Sequence, residues 1–211
     1  MSFNNAKPIL FNTEMVKAIL DGRKTQTRRV VNKEYLGMAD IDDNNIYVPR
    51  EDGGYVNILN MTWSKYKVGD VLWVREPAKV KSPPIATCKK LTFKYLADNK
   101  ITEIYIDDDF DYSKKWIQRC QGVPNGCIKE MARIFLKVTN VRVERLQDIS
   151  VRDIEKETGW RREIYSYSNK NKAFFKDYRD FWNSTAKDGY KYLDNPYIFV
   201  YTFEVINKRD I

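Results

Sequence analysis

Gly22-Arg23-Lys24-Thr25-Gln26-Thr27-Arg28-Arg29 places four cations and two hydroxyls directly behind a helical pattern. Upstream, Asn12 or Thr13 offers an N-cap, and Met15, Val16, Ile19 and Leu20 recur at helical spacing. Gly22 stands where a C-terminal glycine cap belongs. Downstream, Thr25 to Val31 is rich in β-forming residues and ends on Val30-Val31, which predicts a strand. Helix, tight turn and strand thus follow one another, and Lys24 is expected to emerge at the junction, held by two rigid elements.

Outward from this junction, Pro8 to Phe11 is a short apolar run that suits a buried strand before the helix. Tyr47-Val48 and Tyr55-Val56 flank the turn-rich Arg50 to Gly54, which predicts an irregular, exposed hairpin from Ile46 to Ile58. Gly69-Asp70 is a turn, Val71 to Val74 a nearly unbroken apolar strand, and Arg75-Glu76 its end. From Pro77 to Cys127 the character changes: Pro83-Pro84, the acidic Asp107 to Asp109 and a hairpin pattern from Leu91 to Ile106 read as an insertion. Ile134, Leu136 and Val138 alternate, then Val141 and Val143 resume on the other parity, so a long strand must bend near Thr139-Asn140. Asp148 to Ser150 offers caps to a short helix over Val151 to Glu157, stopped by Gly159. Residues 161 to 172 read as a mobile polar loop. Phe174, Tyr178, Phe181 and Trp182 form the apolar stripe of another helix, and Tyr197 to Ile206 is a long closing strand.

The chain has 211 residues, 43% of them hydrophobic, enough for one sizeable core, which predicts a single domain over 1–211 with an insertion near 77–127. A formal charge of +8 favours a polyanionic partner, RNA, DNA or a nucleotide, against the plainer reading of a basic, soluble surface. With no histidine, a Ser-His-Asp triad, a Cys-His pair and an imidazole base or ligand are all excluded. Three cysteines, Cys88, Cys120 and Cys127, are too few for a four-thiolate zinc site and odd in number, which fits a reduced interior. No leader-like or membrane-spanning apolar run is present, so the expectation is a cytoplasmic protein with no metal, no cofactor and no membrane partner.

Without histidine, catalysis would fall to residues such as lysine, threonine and glutamate. Burial lowers a lysine's pKa until its neutral amine can take a hydroxyl proton, and Thr25 and Thr27 stand close to Lys24 in sequence. In a regular strand positions 24 and 27 face opposite sides, so Lys24 and Thr27 meet only if the backbone turns between them. The alternative use of Arg23, Lys24, Arg28 and Arg29 is contact with phosphate. Arg75-Glu76 reads equally as a structural ion pair or as an arginine presented to a ligand.

As a set, GRKTQTRR behind a short helix, then Val68-Gly69-Asp70-Val71-Leu72-Trp73-Val74-Arg75-Glu76, then Ala132-Arg133-Ile134 leading into Val138-Thr139-Asn140-Val141-Arg142-Val143-Glu144, resembles the ASCH domain of the PUA-like superfamily, above all the long ASCH proteins of bacteriophages and prophages. The resemblance implies an α+β fold, a PUA-like small mixed β-barrel with flanking helices whose motif lines a cleft. It implies RNA or a nucleoside as partner, and the amidohydrolase activity of small bacterial members that deacylate 4-acetylcytidine. The catalytic Lys and Thr of those members fall on Lys24 and Thr27. Their Glu falls on Glu157, with Glu155 as the rival position; Arg23, Thr25, Arg28, Arg29, Arg75 and Glu76 are candidate substrate contacts. A non-catalytic RNA or modified-base binding module is the alternative, and a phage assembly or host-interaction protein a second one.

Overall fold

The structure is a computed structural model, and it describes residues 5–37, 39–42, 45–60, 64–85, 90–105, 111, 113–161 and 170–210. The aspartates 107–109, Cys88 and most of the expected loop at 161–172 lie outside the described residues. In chain order the elements begin with β1 (Lys7–Leu10), α1 (Thr13–Leu20), β2 (Gln26–Val30), β3 (Asp40–Asp42), β4 (Asn45–Pro49), β5 (Tyr55–Asn57) and β6 (Val71–Arg75). There follow β7 (Ala78–Ile85), β8 (Lys90–Tyr95), β9 (Ile101–Tyr105), α2 (Lys115–Gln118), β10 (Phe135–Arg145), α3 (Val151–Thr158), α4 (Lys170–Thr185) and β11 (Tyr197–Ile206). The class is mixed α and β. The strands make three sheets, and none closes on itself among the described residues.

The chain divides into two compact units, the first of residues 1–22, 71–137 and 205–211 and the second of residues 23–70 and 138–204. In the first unit β1 runs parallel to β6, in the register Pro8 to Trp73, and β6 pairs antiparallel with the start of β10, Phe135 opposite Trp73. The apolar run Val71 to Val74 is buried on both faces, as its composition requires. Asn12 accepts the Met15 N–H at 2.9 Å to cap α1, and Gly22, at φ +69°, takes the left-handed turn beyond its end. Within residues 77–127, β7, β8 and β9 form an antiparallel sheet. Val80, Leu91, Phe93, Tyr95, Ile117 and Cys127 close a core against it. The strand β7 had no counterpart in the sequence reading, because Ser82, Pro83 and Pro84 hide it; its register slips between Val80 and Ser82 and again before Ile85.

In the second unit the remainder of β10 neighbours β11, and β11 pairs antiparallel with β2, which forms an edge. Strand β10 buries Leu136 and Val138, then exposes Asn140 and buries Val143, the parity change that its sequence requires. Ser150 caps α3 by accepting the Asp153 N–H at 3.1 Å, and Gly159 ends the helix at φ +75°. Phe174, Tyr178 and Trp182 on α4 pack with Leu146, Ile149, Ile154, Ile198 and Val200 into one core. The second unit also holds the three-stranded sheet of β3, β4 and β5.

Candidate functional site

The site grows from the way β2 meets its neighbours. Val31 N donates to Tyr197 O and Phe203 N to Thr25 O, so in this register the odd-numbered residues bond to β11. The N–H and C=O groups of Gln26 and Arg28 therefore face the open edge. Side chains fill that edge. The Lys24 ammonium donates to Gln26 O at 2.6 Å, the Glu157 carboxylate accepts the Arg28 N–H at 3.2 Å, and the Arg29 guanidinium donates to Arg28 O at 2.7 Å. Helix α3 supplies Glu157 from its last turn, and the Thr25 N–H donates to Lys156 O at 3.0 Å, so strand and helix end are sewn together by backbone as well.

Lys24, Arg28 and Glu157 form one buried cluster. Lys24 is 1% exposed and Glu157 3%. The Lys24 ammonium also donates to Glu157 O and stands 3.8 Å from its carboxylate. Burial pulls the Lys24 amine down to about 8, against the opposing pull of Glu157 and assisted by the nearby Arg29 and Arg28 charges. Arg28, 2% exposed, bridges Glu144 at 2.8 Å and Glu157 at 3.3 Å; burial works against its charge, but Glu157, with Tyr178 and Glu144, holds it protonated. Arg142 extends the chain to Glu144 at 2.9 Å. Two polar atoms of the same unit, Tyr178 Oη and Gln26 Oε1, are buried without a hydrogen-bond partner. Burial, with Glu157 next in weight, raises the Tyr178 phenol well above its ordinary value, so it stays a neutral donor.

The residues singled out in the sequence divide into groups. Lys24, Arg28 and Glu157 are brought together. Thr27 is fully buried, and its hydroxyl accepts a hydrogen bond from Arg29 at 2.7 Å. Thr27 and Arg29 lie on one face of β2 and Gln26 and Arg28 on the other, as strand alternation requires. Thr25 contributes backbone bonds to Lys156 and Phe203. Arg23, half-buried, donates to Gly159 O. Glu155, the rival of Glu157, lines a cavity with Arg23 instead of joining the cluster. Arg75 and Glu76 belong to the first unit. There Glu76, wholly buried, pairs bidentately with Arg133 at 2.8 Å on each oxygen, and Arg133 also reaches Asp98 at 2.7 Å and lies over the Tyr95 ring. The side chain next to Glu76 in sequence is thus not the one that neutralises it. Sequence reasoning missed Glu144, Gln26 and Tyr178. Glu144 was visible as a carboxylate late in β10, but nothing in the sequence says that β10 brings it to Arg28, and Tyr178 was read as core only.

Among the described residues no group of three or more His, Cys, Asp and Glu side chains could hold a metal ion, and no helix is long and apolar enough to cross a membrane. No family model and no curated protein matches the sequence. Protein EF3133 from Enterococcus faecalis V583, whose crystal structure is described under the family model DUF984, aligns over 92% of this chain and 67% of that one, at 10% identity and a TM-score of 0.37. A likeness of that degree carries no argument about function.

Proposed function

We propose that the second unit is the catalytic part of a PUA-like, ASCH-type amidohydrolase that removes the acyl group from N4 of an acylated cytidine. The observation that carries this reading is Lys24: an amine sealed from solvent beside Glu157, with a pKa of about 8, within a Gly-Arg-Lys-Thr-Gln-Thr stretch. On this reading the Lys24 amine, held in the structure against Gln26 O and Glu157, has to turn towards Thr27 on the other face of β2; once neutral it then takes the proton of Thr27 Oγ1, and the oxygen attacks the acyl carbon. The carbon–nitrogen bond breaks, the cytidine nitrogen leaves with a proton returned from Lys24, and water then frees the carboxylic acid from Thr27. Arg29 already donates to Thr27 Oγ1, so it steadies the negative charge that develops there and leaves the hydroxyl proton to the base. Glu157 holds Lys24 in place. The unpaired Tyr178 hydroxyl and the unpaired side-chain Oε1 of Gln26 supply a donor and an acceptor in the same unit for a polar ligand.

A second reading has its own observation. Two carbonyl oxygens and a carboxylate surround the Lys24 ammonium, an arrangement that also suits a permanently charged lysine closing the edge of β2 in a binding protein without chemistry. Cytidine release from a panel of N4-acylated cytidines separates the two. In the catalytic reading log kcat/KM climbs with unit slope up to about pH 8 and then levels, as Lys24 loses its proton. Thr27→Val abolishes turnover with little change in substrate affinity, and Lys24→Arg abolishes it as well, since a guanidinium stays protonated. Turnover retained in either variant, or absent from the parent on every substrate, rejects the hydrolase.

A further inference from the structure

The last turn of α3 has two sides. One carries Glu157 into the buried cluster. Along the other lies a cavity of about 330 Å³ lined by Arg23, Arg152, Glu155, Lys156, Trp160 and Arg161, with Gly159 at its floor. Four cations face one carboxylate there, and among the described residues neither Arg152 nor Arg161 has an ion-pair or hydrogen-bond partner. A second cavity of about 310 Å³ along α4 is also basic, but there Lys176 and Arg179 share the Asp180 carboxylate at 3.1 and 3.3 Å. What sets the α3 cavity apart is that its Arg152 and Arg161 have no such carboxylate among the described residues.

Two of its walls are preset. Arg23 is fixed by its bond to Gly159 O. The Trp160 backbone N–H donates to Thr158 Oγ1 at 3.0 Å, and Phe174 and Phe181 brace the indole at steep angles, with centroids 6.0 and 5.7 Å away. The ring is only half-buried, and its uncovered part lines the cavity. A braced indole beside guanidinium and ammonium groups suits a ligand with an aromatic plane at one end and a dense negative charge at the other. The volume is at the small end of ligand pockets, which begin at roughly 300 Å³, and matches one nucleotide at a time.

We propose that this cavity binds a nucleoside phosphate, its phosphate held by Arg152, Lys156 and Arg161 and its base stacked on Trp160. The site is separate from the Lys24 cluster and does not depend on the acyl chemistry. The ligand is either a free nucleotide or one nucleotide of a single strand, since both offer the same phosphate and base.

Calorimetry and tryptophan fluorescence with cytidine 5′-monophosphate, cytidine, inorganic phosphate and a short single-stranded oligoribonucleotide test it. The monophosphate is expected to bind at least about tenfold more tightly than cytidine or inorganic phosphate, the scale of one base–aromatic stack. The double variant Arg152→Ala, Arg161→Ala weakens it by about tenfold or more and flattens its salt dependence. Trp160→Leu, checked for folding by circular dichroism, removes the advantage of monophosphate over inorganic phosphate. Lys176→Ala with Arg179→Ala on α4 leaves the affinity as it was. An oligoribonucleotide that binds more tightly than the monophosphate, with a steeper salt dependence, identifies a strand as the source; equal affinity identifies the free nucleotide. The proposal is overturned if the monophosphate fails to bind at millimolar concentration, if inorganic phosphate binds equally well, or if the α3 and α4 double variants lose affinity alike. Failure of the hydrolase assay with these results intact refutes the catalytic reading and not this one.

Discussion

Glu157→Gln isolates the carboxylate on which the buried cluster turns. The substitution preserves size and one acceptor for the Arg28 N–H, but removes the charge that faces Arg28 at 3.3 Å and Lys24 at 3.8 Å. Removing one member of a buried ion pair costs about 3–5 kcal/mol. Glu144 still holds Arg28 at 2.8 Å, which puts the expected loss near the lower end, about 3 kcal/mol. For a chain of this length that lowers Tm by roughly 6–12 °C. The pH dependence is diagnostic. Lys24 has a folded pKa of about 8, below the ordinary lysine value of 10.5, so between those values the unfolded chain binds more protons and stability rises with pH. Without Glu157 the folded pKa falls further and that rise begins earlier. The gap between parent and variant is therefore widest at acidic pH, where Lys24 is charged in both, closes as pH rises towards 8 because only the variant is losing its proton there, and stays constant above 8. Thermal unfolding followed by circular dichroism at pH 6.5 and 9.5 measures both. A Tm within 2 °C of the parent, or an equal gap at the two pH values, refutes the coupling of Lys24 and Glu157 argued above.

Two further outcomes follow from the first unit. Gly126 sits at φ +80°, and a Cβ there would lie 2.8 Å from Arg75 O, so Gly126→Ala is expected to cost about 2 kcal/mol in urea unfolding; a neutral substitution would contradict the close approach of these backbones. Burial pushes the Cys127 thiol up to about 12, and its Sγ donates to Val74 O at 3.2 Å. In a Cys88→Ser, Cys120→Ser chain it should react with a disulfide reagent at pH 8 about a thousandfold more slowly folded than in urea, and a ratio under ten would show that the thiol is not sealed.

Local structure was legible wherever one segment carried its own signal. Asn12, Gly22, Ser150 and Gly159 punctuate α1 and α3 because caps are short-range chemistry, and the apolar periodicity of β6, α4 and β11 marks which faces are buried. What the sequence could not show was pairing at a distance. Arg75 and Glu76 are neighbours in the chain, yet Glu76 bonds to Arg133, because strand alternation sends adjacent side chains to opposite faces. Lys24 and Glu157 lie 133 positions apart, and no short-range signal in the sequence says that they touch. The structure supplies the physical reason for their meeting, which is the end of α3 lying along the open edge of β2. Arg161 falls in the polar stretch 161–172 and Arg152 carries no signal of its own in the sequence; only the hollow beside Trp160 distinguishes them.

An unpaired strand edge is also an adhesive one, since exposed N–H and C=O groups invite another chain to add a strand. On β2 the side chains of Lys24, Glu157 and Arg29 already bond to Gln26 O, the Arg28 N–H and Arg28 O, so these edge groups are not offered to a second chain. Lys24→Met with Glu157→Leu would free Gln26 O and the Arg28 N–H, and the edge that they line would stand open to a further strand.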